Sequence, residues 1–252
     1  MLREETVFGP IHSRRLGNSL GINLLPEKGK FCNFDCIYCE CGWNRDGSED
    51  KALPDAAKVR RDLEAKLSEL KTAGTPVDSI TFSGDGEPTL NPEFPAIIDD
   101  TIALRDKYYP SAKVSVLSNA TRVHIPAIFE ALRKVDNPIM KLDGVSAERI
   151  ERINHPAPGY DLDRVIESLK KFNGDFVLQT MFLRTADGFD SAESGALAKW
   201  MEIVRILRPR EIMVYTIDRP TPEQGLEKFT PEEMRRITEP LAEEGFNLQI
   251  RG

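Results

Sequence analysis

The chain has 252 residues, of which 34 are Lys or Arg and 41 are Asp or Glu, giving a net charge of −7 at pH 7. That length supports a sizeable hydrophobic core. The acidic balance disfavours an extended nucleic-acid groove, whose phosphate contacts rest on lysine and arginine. No apolar run approaches the ~18 residues needed to cross a bilayer. The N-terminus, MLREETVFGP, lacks the basic-then-apolar pattern of a secretory signal. The expectation is a cytoplasmic protein with no membrane association, in a compartment where thiols stay reduced.

In chain order, SLGINLLP (19–26) reads as a first strand and leads into a cysteine-rich loop. A helical pattern at 56–73 precedes the strand VDSITFSG (77–84), and another at 94–108 precedes KVSVLSNA (113–120). Helix 125–134 is followed by PIMKLDG (138–144), helix 161–173 by DFVLQTMFL (175–183), and helix 191–207 by EIMVYTID (211–218). The last helix, 231–244, opens with TPEE: a cap, a first-turn proline and an acidic first turn. FNLQIRG adds a short final strand. Such alternation predicts an α/β fold with parallel strands and crossover helices. About six such units suit a partial (β/α)6 barrel. No repeat or low-complexity segment interrupts residues 1–252, which read as a single domain. The turn-rich stretches 42–54 and 218–229 are too short to mark a boundary. Arg14–Arg15 and Arg208–Pro209–Arg210 could form a local basic patch, though solvated surface charge is the expected reading.

In parallel α/β folds chemistry gathers at the carboxyl ends of the strands. There this chain places Ser83 to Glu87, Ser118–Asn119, Lys141 with Asp143, Arg184, and Asp218–Arg219, and the cysteine loop follows the first strand onto the same rim. All four cysteines fall in this loop, as C-x3-C-x2-C (Cys32, Cys36, Cys39) with Cys41 two residues on. Clustered thiols in a reducing compartment point to metal rather than disulfides. Three thiolates on a short loop can hold a [4Fe–4S] cluster and leave one iron open to a substrate or cofactor. The competing reading is a structural zinc site using all four cysteines, but zinc ligands usually come as two separated pairs. A second cluster would need three or four more thiolates. Cys41 is therefore either an inert packing residue, a redox thiol or a hydrogen-atom donor. The histidines at 12, 124 and 155 show no metal-ligand spacing. His155 is expected to cap or sit at the surface.

C-x3-C-x2-C with Tyr38 just before the third cysteine resembles the signature of the radical S-adenosylmethionine (SAM) superfamily. Gly84–Asp85–Gly86–Glu87–Pro88 is similar to that superfamily's glycine-glycine-glutamate-proline motif, with Asp85 replacing one glycine. GPIHSRRLGNSLGINLLP, SGDGEPTL and YTIDRPTPE resemble a subgroup of wybutosine-synthesis-like iron–sulfur oxidoreductases, whose additional cluster cysteines this chain lacks. The resemblance implies that Cys32, Cys36 and Cys39 bind three irons while SAM chelates the fourth. Gly84, Asp85, Gly86 and Glu87 would meet the methionyl amine, and Tyr38 the adenine. Ser118 and Asn119 would contact ribose, Lys141 and Asp143 ribose and carboxylate, and Gln179 and Met181 the sulfonium and ribose. Other readings stay open: 84–86 as a plain turn, Lys141 and Asp143 as a surface ion pair, and Gln179 as a satisfied core residue.

The resemblance implies a radical enzyme that cleaves SAM reductively and abstracts hydrogen from an unidentified substrate, with a flavodoxin- or ferredoxin-type electron donor. The subgroup suggests a small or RNA-linked purine as substrate. Two alternatives are an activase of a glycyl-radical partner enzyme and a non-enzymatic four-cysteine metal-binding module.

Overall fold

A computed structural model of the chain describes residues 5–13, 16–47 and 51–251. Arg14–Arg15 lies outside the described residues. The chain forms two compact units, each discontinuous in sequence: Met1–Asn33, Asn44–Ser118 and Ile125–Pro138 in the first, Phe34–Trp43, Asn119–His124 and Ile139–Gly252 in the second.

The first unit runs β1 (Val7–Ser13), β2 (Gly17–Ile22), α1 (Ala56–Thr72), β3 (Ser79–Phe82), α2 (Phe94–Tyr108), β4 (Lys113–Ser118) and α3 (Pro126–Lys134). β2, β3 and β4 pair in parallel, with Leu20 opposite Ile80 and Phe82 opposite Val116. All four residues of β3 are buried, as a parallel strand covered on both faces requires. Val59, Leu63, Leu67 and Leu70 form the buried stripe of α1 at helical spacing. Asp55 caps that helix by accepting from the Lys58 N–H at 2.6 Å. α1 lies against α2, and Phe94 of α2 meets Phe82 edge to face with ring centroids 6.1 Å apart.

β1 was not legible in the sequence. It is an antiparallel partner of β2 whose register shifts between Phe8 and Ile11, around Pro10. A proline inside an apolar run is compatible with an edge strand but erases its alternation.

In the second unit the order is β5 (Asn137–Lys141, its last three residues lying here), α4 (Ala147–Asn154), α5 (Leu162–Lys170), β6 (Val177–Met181), β7 (Leu183–Thr185), α6 (Ser194–Leu207), β8 (Glu211–Tyr215), β9 (Leu226–Lys228), α7 (Pro231–Glu243) and β10 (Leu248–Arg251). The parallel strands follow the order β5-β6-β8-β10. Lys141 stands opposite Gln179, and Met181 opposite Tyr215. Trp200 of α6 packs edge-on against Phe182 and donates its indole N–H to the Thr180 hydroxyl at 3.1 Å, so its one polar atom is satisfied inside the core. α7 starts as expected, with Pro231 in its first turn and a capping box between Thr230 and Glu233.

Two expectations for this unit need correction. The strand over 175–183 breaks at Phe182, and its end, β7, pairs antiparallel with β9 in a separate two-stranded sheet. The stretch 218–229, read as loop throughout, contributes β9. Among the described residues no helix is long and apolar enough to cross a membrane.

Candidate functional site

The GDGEP segment follows β3. Its backbone pairs with the chain just before the first cysteine: the Phe31 N–H donates to the Asp85 carbonyl at 2.9 Å, and the Glu87 N–H to the Phe31 carbonyl at 3.2 Å. The glycines make this approach possible. A β-carbon on Gly86, which has φ +142°, would stand 2.0 Å from the Phe31 carbonyl oxygen. One on Gly84 would stand 2.0 Å from Asn23 Oδ1. The close contact that glycine permits here is therefore with the protein's own backbone and with Asn23. Asp85, in the place of a motif glycine, is buried and held by Asn23, whose Oδ1 accepts the Asp85 N–H at 3.1 Å.

Glu87 is 2 % exposed. Its Oε1 accepts from the Thr89 N–H at 3.1 Å, the Thr89 hydroxyl at 2.6 Å and the Ser118 hydroxyl at 2.9 Å. Glu87 thus caps the short helical turn Pro88–Leu90 and ties it to the end of β4. Asn44 Nδ2 donates to the Cys32 carbonyl at 3.1 Å in the same unit.

The second unit holds a compact ionic cluster. The Asp143 side chain is wholly buried. Its Oδ1 accepts the Met181 N–H at 2.9 Å, and its Oδ2 accepts from Asn154 Nδ2 at 2.9 Å and from the Tyr38 hydroxyl. Lys141 Nζ lies 3.7 Å from Oδ2 and donates to the hydroxyls of Tyr38 at 2.8 Å and Tyr215 at 2.6 Å. It also sits 4.9 Å from the centre of the Tyr38 ring. The surface-ion-pair reading of Lys141 and Asp143 is thereby corrected: the Lys141 side chain is only 19 % exposed. Gln179 and Met181 are buried beside this cluster on β6.

Burial is the largest single influence on the titration of these groups. It works to lower Lys141, but the Asp143 carboxylate, with Tyr215 and Cys36, more than reverses this and holds the ammonium well above the ordinary lysine range. Burial pushes the Tyr38 phenol well up, and nearby Asp143 adds to that. The Cys36 thiol is pushed up to about 11 by burial, against the opposing pull of Lys141. A metal bound at Cys36 must displace that proton, and Lys141 is the cation the resulting thiolate would face.

Cys36 is buried, whereas Cys32, Cys39 and Cys41 are half-buried. The Cys39 N–H donates to the Cys36 carbonyl at 3.1 Å and the Gly42 N–H to the Cys39 carbonyl at 3.0 Å, so the loop coils tightly through its last two motif cysteines. Among the described residues no three His, Cys, Asp or Glu side chains converge closely enough to hold a single metal ion. The donors of the motif are all thiols, the soft ligands that iron–sulfur clusters take. Asn154 adds an amide N–H 3.3 Å from the Cys36 sulfur. This donor set fits an iron–sulfur cluster.

The Radical SAM superfamily model matches residues 27–183, a stretch that contains all four cysteines and the GDGEP loop. The chain belongs to the radical SAM superfamily. It is 31 % identical over 220 residues to a UPF0026 protein of Helicobacter pylori, covering 85 % of this chain and 67 % of that one. A UPF0026 protein of Synechocystis is 31 % identical over 96 % of this chain and 89 % of its own length. Among solved structures, a radical SAM methyltransferase from Sphaerobacter thermophilus superposes with a TM-score of 0.65 at 16 % identity, over 92 % of this chain and 65 % of that structure. Streptococcus suis SuiB bound to S-adenosylmethionine gives 0.60 at 17 % identity, and this chain spans 45 % of its length. These likenesses show the fold, the partial barrel expected from the strand-helix alternation. Membership of the radical SAM superfamily, by the match over residues 27–183, makes the chain an enzyme of the radical SAM kind.

Of the rim residues expected to matter, Asn119 accepts from the backbone and hydroxyl of Thr121, at 3.1 and 2.7 Å, and so shapes its own turn. Arg184 is engaged by Asp190 and Glu233. Arg219 pairs with Glu40, between Cys39 and Cys41, at 2.7 Å. His155 ends α4 in the left-handed conformation, a capping role as expected, and stacks on Trp43. Asn23, Asn154 and Tyr215 were missed. Asn23 and Tyr215 occupy strand ends, the position that singled out Ser118 and Lys141, so the rim rule applied evenly would have found both.

Proposed function

We propose that this radical SAM enzyme uses a [4Fe–4S] cluster held by Cys32, Cys36 and Cys39 to cleave SAM reductively. When bound, cluster and SAM together would supply a 5′-deoxyadenosyl radical for hydrogen abstraction from a substrate. The donor set carries this reading: three thiols at C-x3-C-x2-C spacing, inside the matched stretch, with no other thiol except Cys41. Cys41 stays outside the ligand set.

The chain's own residues then have defined tasks. Lys141 offsets the negative charge that a thiolate at Cys36 brings into a buried site. Asp143 holds Lys141, Tyr38 and Asn154 in place, and through the Met181 N–H it fixes the end of β6. Glu87 sets the turn that follows the GDGEP loop and orients the Ser118 hydroxyl. Gly84, Asp85, Gly86, Asn119, Gln179 and Met181 complete the assignment to SAM. In this reading Glu87 and Asp143 act largely through the groups they hold. An external one-electron donor of flavodoxin or ferredoxin type supplies the electron.

Protein reconstituted anaerobically with iron and sulfide, then given dithionite and SAM, should form 5′-deoxyadenosine and methionine, measured by chromatography. SAM recovered intact from a protein carrying its full iron and sulfide would overturn this reading.

A further inference from the structure

The end of α4 grips the cysteine loop on both sides of Cys36. The Asp35 N–H donates to the carbonyls of Asn154 at 2.8 Å and His155 at 3.2 Å, and the Ile37 N–H donates to that of Ile153 at 3.0 Å. Phe34 bridges Pro156 in antiparallel fashion. The turn at His155, with φ 40°, lets the chain double back at the helix end. Between these backbone bonds lies the Asn154 side chain, fully buried, with Nδ2 3.3 Å from the Cys36 sulfur.

The orientation of this amide follows from its neighbours. Asp143 Oδ2, 2.9 Å away, can only accept, so the NH2 group must face it. One hydrogen serves the carboxylate. The other is directed to the region of the sulfur and the Tyr38 hydroxyl, which lies 3.4 Å off and itself donates to Asp143. Asn154 Oδ1 is buried and has no hydrogen-bond partner among the described residues. An orphaned buried carbonyl is destabilising, so this side chain is kept for what its donors do.

We propose that Asn154 is a positioning residue that donates an N–H···S hydrogen bond to Cys36 and raises the reduction potential of the centre Cys36 ligates; this rests on the cluster assignment above. Hydrogen bonds to cluster sulfurs stabilise the charge added on reduction. Loss of one should favour the oxidised form. Asn154→Leu keeps the branched heavy-atom skeleton and removes the donor. We expect it to assemble the cluster yet show about a tenfold smaller ratio of reduced to oxidised protein at fixed potential, equivalent to about 59 mV for a one-electron couple.

The test pairs redox titration with pulsed electron paramagnetic resonance of reduced, reconstituted protein labelled with 15N only at asparagine. Wild type should show a coupled asparagine nitrogen that disappears in Asn154→Leu, which a purely structural role would not produce. Should that variant fail to fold, the milder Asn154→Ser replaces it, and the labelled wild-type spectrum still decides: no coupled asparagine nitrogen overturns the proposal. An unchanged potential in a variant that assembles its cluster also overturns it. A wild-type protein that assembles no cluster overturns the cluster assignment and this proposal with it.

Discussion

Replacing Cys36 with alanine is expected to reduce bound iron and sulfide after reconstitution to about a tenth of wild type or less, while Cys41→Ala leaves both unchanged. Cys36 is the buried thiol of the four, fixed by backbone bonds at residues 35 and 37, and its sulfur meets the Asn154 amide. Cys41, the remaining thiol, sits within the turn that the Gly42 N–H closes on the Cys39 carbonyl, and is not expected to take its place. Alanine at 36 removes one small side chain, a cost of roughly 1 kcal/mol, so the variant should stay folded by circular dichroism. Full iron and sulfide in Cys36→Ala would contradict the ligand assignment. Iron lost from Cys41→Ala would instead point to a site using all four cysteines.

Asp143→Ala should be the most destabilising single substitution at the site. It strands the Lys141 ammonium, the Tyr38 hydroxyl, one hydrogen of Asn154 and the Met181 N–H in a buried space at once. Breaking one partner of a buried ion pair costs about 3–5 kcal/mol, which for a chain of this size lowers Tm by roughly 6–20 °C. Removing the stranded cation as well should recover part of the loss. The double variant Asp143→Ala with Lys141→Met is therefore expected to be more stable than Asp143→Ala alone, a coupling that a double-mutant cycle by thermal denaturation measures. A Tm for Asp143→Ala within a degree of wild type would contradict the buried network.

Residues close in sequence were the legible part of this molecule. C-x3-C-x2-C and GDGEP are local patterns, and strand-helix alternation is a periodicity, so the candidate metal ligands could be proposed and the fold class read directly. The arrangement around Asp143 was not. Tyr38 and Asp143 are 105 residues apart, and Asn154 and Cys36 are 118 apart, distances over which no periodicity carries information. α4 escaped notice because it is only 8 residues long. Its Ser146 cap and the spacing of Ile150 and Ile153 were its only signals. In RINHP the histidine was read as a cap, which it is, but the asparagine beside it, which makes the contact to sulfur, was not singled out.

The measurement that bears most directly on the central claim is the electron paramagnetic resonance spectrum of the anaerobically reconstituted, reduced protein, recorded with and without SAM. On the proposed assignment three cysteine ligands would leave one iron open, so the reduced-cluster signal should change its g values when SAM is added. A cluster signal that SAM leaves unaltered would contradict an open iron and with it the account of this site.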